Sequence, residues 1–288
     1  MWIEILFYMA FFSQILLISY HYPKKIVQRM DYIFEHFPID QYSKLYPKGY
    51  EKTLEGKFIF KWLNLACLLL GLIVFVIFVI ANQQENIGLE DVNFLPFLFG
   101  FLQAIPFLYL EFSGYKQLKL MRNLNVETKR RAELSPRNVF NYISPIRLIS
   151  AISMLIICVL VMFTLSDFQI TASLAVLLGS MFLCNALFVG LGYKILHGKK
   201  LDPHQSPEDR HTMACTAFRS YTSVSMLVSV FFIFNQSIEH YGLEAWEPIF
   251  NCLYWQGVVL LSTGTLLKMT KLTAVNYDVY KTPSQDLT

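Results

Sequence analysis

The sequence predicts an all-α fold: a polytopic membrane helix bundle of about seven transmembrane helices, its N-terminus outside and its C-terminus cytoplasmic. Three observations carry that expectation. Only 16% of the 288 residues are charged against 55% hydrophobic, where a soluble protein carries about 25% charged residues. Seven stretches approach the roughly 20 apolar residues that a helix needs to cross hydrocarbon, at 3–20, 58–80, 94–112, 146–165, 170–191, 220–234 and 248–267. Finally, the cations alternate with the connections. The inside segments 21–57, 113–145, 192–219 and 268–288 and the span ends beside them hold all 24 Lys and Arg, while the opposite loops hold none but contain Glu85, Glu90, Asp91, Asp167, Glu239, Glu244 and Glu247. The positive-inside rule gives this pattern its sign.

The first span carries Glu4, lacks a basic leader and runs into Pro23, Lys24 and Lys25, so it reads as a retained span and not a cleaved signal. In the inside segment that follows, Ile26, Val27, Met30, Ile33, Phe34 and Phe37 recur at helical spacing while Lys25, Arg29 and Asp31 fall off the stripe. That pattern predicts an amphipathic helix lying in the inner headgroup layer. Span three contains Gln103 three residues before Pro106, whose ring deletes one helix hydrogen bond. Span five carries Ala175, Gly179, Ala186 and Gly190 as small-xxx-small pairs that permit close backbone approach, which predicts it as the central helix. Ser206, Pro207 and Asp209 form an N-cap signature, so helix six should start well outside the membrane and run unbroken from 207 to 234. Gly-Tyr-Lys exits recur after spans three and five, and Ser-Met-Leu in spans four and six, yet their spacing is out of register and argues against duplication. No loop is long enough to bury its own core, so 1–288 reads as a single membrane domain.

Chemistry is bounded mainly by absences. There is no HExxH, GxSxG, phosphate-loop lysine or calcium-loop motif, and none of the six His lies inside a span. No Asp, Glu, Lys or Arg lies near a span centre, which disfavours proton-coupled transport. The five cysteines are scattered and apolar in context, so they predict neither disulfides nor a metal centre. The polar residues in the membrane are neutral: Gln103, Asn185, Gln256 and a stripe of Thr222, Ser225 and Ser229 on span six. These read as interhelical bonds or as the lining of a neutral cavity. Lys129, Arg130 and Arg131 read as contacts to anionic lipid headgroups.

In the third inside loop His204, Asp209 and His211 offer metal or acid–base atoms, but Asp209 and His211 diverge on a helix and no metal is expected. The leading functional expectation is a non-enzymatic bundle in the plasma (inner) membrane. It would bind membrane lipids, a protein partner, a second copy of itself or a neutral small molecule, with no cofactor and no nucleic acid. A transporter of an uncharged or amphipathic substrate is the first alternative, and an enzyme acting at the cytoplasmic face through the 202–211 loop the second.

Overall fold

The structure is a computed structural model that describes residues 2–85, 89–125, 138–200 and 202–281. The described residues are mostly helical and include no strand. Six helices are long and apolar enough to cross a membrane: α1 (Trp2–His36), α2 (Tyr50–Glu85), α3 (Leu95–Leu124), α4 (Pro145–Leu165), α5 (Ala172–His197) and α6 (Pro207–Tyr241). A seventh helical run, α7, is built from Glu247–Val259, Leu260–Gly264 and Thr265–Met269. Large aliphatic side chains stand exposed along α2 (Leu69, Ile73, Ile77), α4 (Ile149, Ile156, Leu160) and α5 (Val176, Leu183, Leu187). An apolar surface of that extent is stable only against lipid or protein. The chain is an integral membrane protein.

Helices α1, α2, α3 and α7 form one unit around a dense aromatic core. Phe7, Phe11 and Ile15 of α1 are fully buried against Phe78, Phe99, Ile249 and Cys252. The Phe7 and Phe78 rings meet edge-on at 5.2 Å, and Phe11 meets Phe99 at 5.6 Å. Aromatic pairs in this geometry stabilise beyond the area they bury. Two glycines let the helices close. A Cβ on Gly71 would stand 2.5 Å from the Phe99 ring, and one on Gly100 would stand 2.2 Å from the Trp255 indole.

The amphipathic helix expected after span one is present as Tyr22–His36, and it is joined to the span without a break. α1 is continuous for 35 residues, about 52 Å at 1.5 Å per residue, so its amphipathic half projects beyond the hydrocarbon in line with the span. Pro23 does not end it, because Leu17–His21 is a π-helical turn in which the Tyr22 N–H reaches back to the Leu17 carbonyl. The wider turn accommodates the proline ring immediately after it. The projecting half packs on the start of α2 through a Lys57–Asp31 ion pair and the Phe34–Tyr50 edge contact at 5.4 Å.

The predicted central role of span five is corrected. α6 is central: it packs on α4, α5 and α7, whereas α5 has α6 as its main neighbour. Leu174 and Met181 of α5 enter a cluster with Cys158, Met162, Phe232 and Ile233. The small residues lie on other faces, where a Cβ on Gly179 or Gly190 would meet nothing within 4 Å. Large side chains at 174 and 181 set the buried seam, so the small stripe is left outside.

α6 begins where the N-cap signature placed it. The Ser206 hydroxyl accepts from the Asp209 N–H at 3.1 Å and donates to its carboxylate at 2.8 Å. The helix passes residue 234 and ends at Gly242, which adopts the left-handed conformation (φ 64°) that glycine tolerates at a helix end.

Candidate functional site

The polar residues of the membrane region divide between two places. In the four-helix unit, Gln14 and Gln103 are completely buried. Gln14 Nε2 donates to Gln103 Oε1 at 3.0 Å and to the Pro96 carbonyl at 3.3 Å, while Gln103 Nε2 donates to Ser19 Oγ at 2.8 Å. Gln103 is therefore tied to α1 by both ends of its amide. The carbonyl that Pro106 leaves without its helical donor, Leu102 O, receives the Cys67 thiol at 3.7 Å. Gln256 of α7 donates to the Ala10 carbonyl at 3.0 Å and accepts from Ser13 at 3.2 Å, which fastens α7 to α1. Elsewhere, Asn185 is the hinge of the α5–α6 seam. It donates to its own Met181 carbonyl at 2.9 Å and accepts from Ser225 at 2.5 Å. Thr222 and Ser229 are buried and bond back to Phe218 and Ser225 within α6. Each of the three amides thus bonds across a helix interface.

The trio of His204, Asp209 and His211 is not assembled into one centre. Asp209 caps α6 and accepts from the Asn276 N–H at 3.1 Å. His211 Nε2 lies 3.1 Å from the Asn141 carbonyl and its ring 5.3 Å from Tyr142. His204 faces the Tyr280 ring at 6.2 Å. Among the described residues no three His, Cys, Asp or Glu side chains converge on a metal-sized point. Lys129, Arg130 and Arg131 lie outside the described residues.

Sequence reasoning passed over a third place, on α1 and α7. These helices run in the same direction side by side, as the Ser13–Gln256 contact near their middle and the Arg29–Thr270 contact near their end show. Each carries a π-helical turn, Leu17–His21 in α1 and Leu260–Gly264 in α7. The turns fall at the same depth, with Ile18 and Tyr22 packed in one cluster with Val259. Gly264 is needed there, because a Cβ would come within 2.8 Å of the Tyr22 hydroxyl. π-helical turns are rare and concentrate at functional sites.

Beneath the paired turns opens a cavity of about 670 Å³ between the two helices. Lys25, Gln28, Arg29 and Tyr32 line it from α1, and Lys268, Lys271 and Thr273 from α7 and the chain beyond. No carboxylate lines it. No family model, no curated protein and no solved structure matches this chain.

Its cations have different duties. The Arg29 guanidinium donates to the Leu267 carbonyl at 3.3 Å and to the carbonyl and hydroxyl of Thr270. It thereby satisfies the acceptors that the end of α7 would otherwise leave orphaned and offsets the negative end of that helix dipole. Lys25, Lys268 and Lys271 are exposed, and none has a carboxylate partner among the described residues. The chain beyond α7 packs on the end of α1 and on the loop before α6. Tyr277 stacks on Phe37 at 3.8 Å, and Tyr280 donates to the Asp202 carboxylate at 2.5 Å. Burial, and then the Asp202 charge, push the Tyr280 phenol above the ordinary tyrosine range.

The missed residues left partial traces in the sequence. Gln14 is as much an amide inside a span as Gln103, and Lys25 and Lys268 end the first and last spans. What the sequence lacked was any sign that those two ends are neighbours.

Proposed function

We propose that the chain crosses the inner (plasma) membrane seven times, N-terminus outside and C-terminus cytoplasmic. Its function on this reading is to bind a ligand in the cytoplasmic-leaflet cavity between α1 and α7, without catalysis. The observation that carries it is the cavity, roofed by paired π-helical turns and lined by uncompensated cations. Its volume falls in the range of small-molecule sites.

Seven crossings are supported by α7, which buries Ile249, Asn251, Cys252 and Val259 alongside α1, α3 and α6. The orientation is supported by the one-sided Lys and Arg. The main competitor, a transporter of an uncharged substrate, needs a polar route through the four-helix unit. Gln14, Gln103 and Ser19 instead spend hydrogen bonds on one another there.

Two measurements test the proposal. In a cysteine-free background, Gln236→Cys should react with an impermeant thiol reagent in intact cells and Lys52→Cys should not. The reverse result overturns the orientation. Native mass spectrometry of gently solubilised protein should show a retained small adduct that Gln28→Trp, which fills the cavity, removes while the melting temperature holds. An adduct indifferent to Gln28→Trp would place the ligand elsewhere.

A further inference from the structure

We infer that the cavity takes a phosphate-bearing headgroup, that of an anionic phospholipid of the cytoplasmic leaflet. This rests on reading the cavity as a ligand site and names its occupant.

The charge argument comes first. Lysines near an inner membrane surface are ordinary, and each attracts anionic lipid. Here they are gathered by the fold: Lys25 comes from α1, Lys268 and Lys271 from the far end of the chain, and all three border one concavity that no Asp or Glu lines. The adjacent end of α7 would by itself repel an anion, because a helix C-terminus carries partial negative charge. Arg29 removes that obstacle by bonding to Leu267 O and Thr270 O. The field in the cavity is then set by the three lysines.

The neutral lining fits the same ligand. Tyr22, Gln28, Tyr32 and Thr273 bring hydroxyl and amide donors around the cations, which suits a group of several acceptor oxygens and no donors of its own. Leu267 and Leu272 complete the wall with apolar surface, where the glycerol and first methylenes of a lipid would lie. A soluble phosphate ester offers the same headgroup chemistry without that tail. The depth of the site, below the hydrophobic Ile18–Val259 cluster, favours the lipid.

The test uses the full-length protein in nanodiscs of phosphatidylcholine, with or without a minor fraction of phosphatidic acid, read by native mass spectrometry of retained lipid. Phosphatidic acid should be retained over phosphatidylcholine. The double variant Lys268→Gln/Lys271→Gln should weaken that retention roughly 30-fold, the factor that two near-surface lysine charges supply. Lys268→Arg/Lys271→Arg should preserve it, which separates charge from folding. Lys116→Gln/Lys119→Gln, which removes two exposed cations of α3 outside the cavity, should leave it unchanged. A third arm adds glycerol 3-phosphate to phosphatidylcholine discs. A glycerol 3-phosphate adduct lost in Lys268→Gln/Lys271→Gln, stronger than the phosphatidic acid adduct, would keep the phosphate site but assign it to a soluble ester. Equal retention of the two lipids, or equal loss from Lys116→Gln/Lys119→Gln, overturns the inference while leaving a cavity ligand in place. If the wild type retains no adduct that Gln28→Trp removes, the underlying ligand-site reading fails first.

Discussion

The two halves of the bundle are built on different economies of packing. In the α1–α2–α3–α7 unit, aromatic rings interlock, glycines bring backbone against ring, and amides bond to one another out of reach of solvent and lipid. In the α4–α5–α6 half, α4 and α5 lean on α6 through a narrower seam, most of their surface faces outward, and the polar tie across it is Asn185 to Ser225. A membrane helix gains nothing from burying leucine away from lipid tails, so packing and hydrogen bonds must hold the bundle. The first half concentrates both, and the cavity opens at the end where Arg29 of α1 meets Thr270 after α7. The second half resembles an outrigger, rich in lipid-facing surface.

The sharpest way to break this contrast is at glycine. Gly100→Leu must displace the Trp255 ring and should destabilise the protein by about 3 kcal/mol in a detergent melt. Gly179→Leu, in the other half, meets open space and should stay within about 0.5 kcal/mol of wild type. Equal losses would refute the division.

Next in size is Gln103→Leu, which strips partners from both Gln14 and Ser19 at a buried site. It should cost about 2 kcal/mol. Asn185→Leu removes one half-buried cross-helix bond and should cost about 0.6 kcal/mol, the mean for such bonds in membranes. If Asn185→Leu proves the more damaging, the seam of the second half carries more than its geometry indicates.

The smallest expected effect concerns the tail, which ties the halves together through Tyr277 on Phe37 and Tyr280 on Asp202.

 The Tyr280 phenol is held neutral by burial and by Asp202, so its folded pKa lies above the unfolded value of about 10. Its contribution is present in full below about pH 10 and is lost as pH rises beyond that, toward the folded pKa. Tail proteolysis should therefore accelerate above about pH 10 in the wild type. Tyr280→Phe should show that faster cleavage already at neutral pH, with global melting within about 0.5 kcal/mol of wild type. A pH-independent cleavage rate would mean that this contact does not hold the tail.

How much of this was legible in the sequence follows the same division. Apolar length found the six helices able to cross a membrane and the segmented run of α7, and the Ser206 cap located the start of α6 to the residue. Two features were not legible, for physical reasons. The amphipathic stripe after span one was visible, but not that it continues the span, because nothing local announces the π-helical turn that lets the helix pass Pro23. The small residues of α5 looked like a packing face, but Leu174 and Met181 decide which face is buried. The amides Gln103, Asn185 and Gln256 were visible as polar groups in apolar spans, whereas their partners were not. The cavity was least legible of all, since Lys25 and Lys268 become neighbours only through the pairing of the first helix with the last.

The π-helical turn of α1 also has a consequence for chain length. Gln14 and Ser19 are five residues apart, and on a regular α-helix of 3.6 residues per turn they would point about 140° away from each other. Both nevertheless reach Gln103. The turn behaves as a single inserted residue, swallowed locally so that the flanks on either side keep the phase they would have without it. Helix α1 therefore has one place where a residue is surplus. Deleting the exposed Leu16 should convert the turn to ordinary helix, set Gln14 and the serine four apart, and leave Arg29 still facing the end of α7. Deleting Phe12 instead would swing Phe7 and Phe11 about 100° out of the aromatic core relative to everything that follows. The same one-residue loss should be absorbed at one site and unfold the unit at the other.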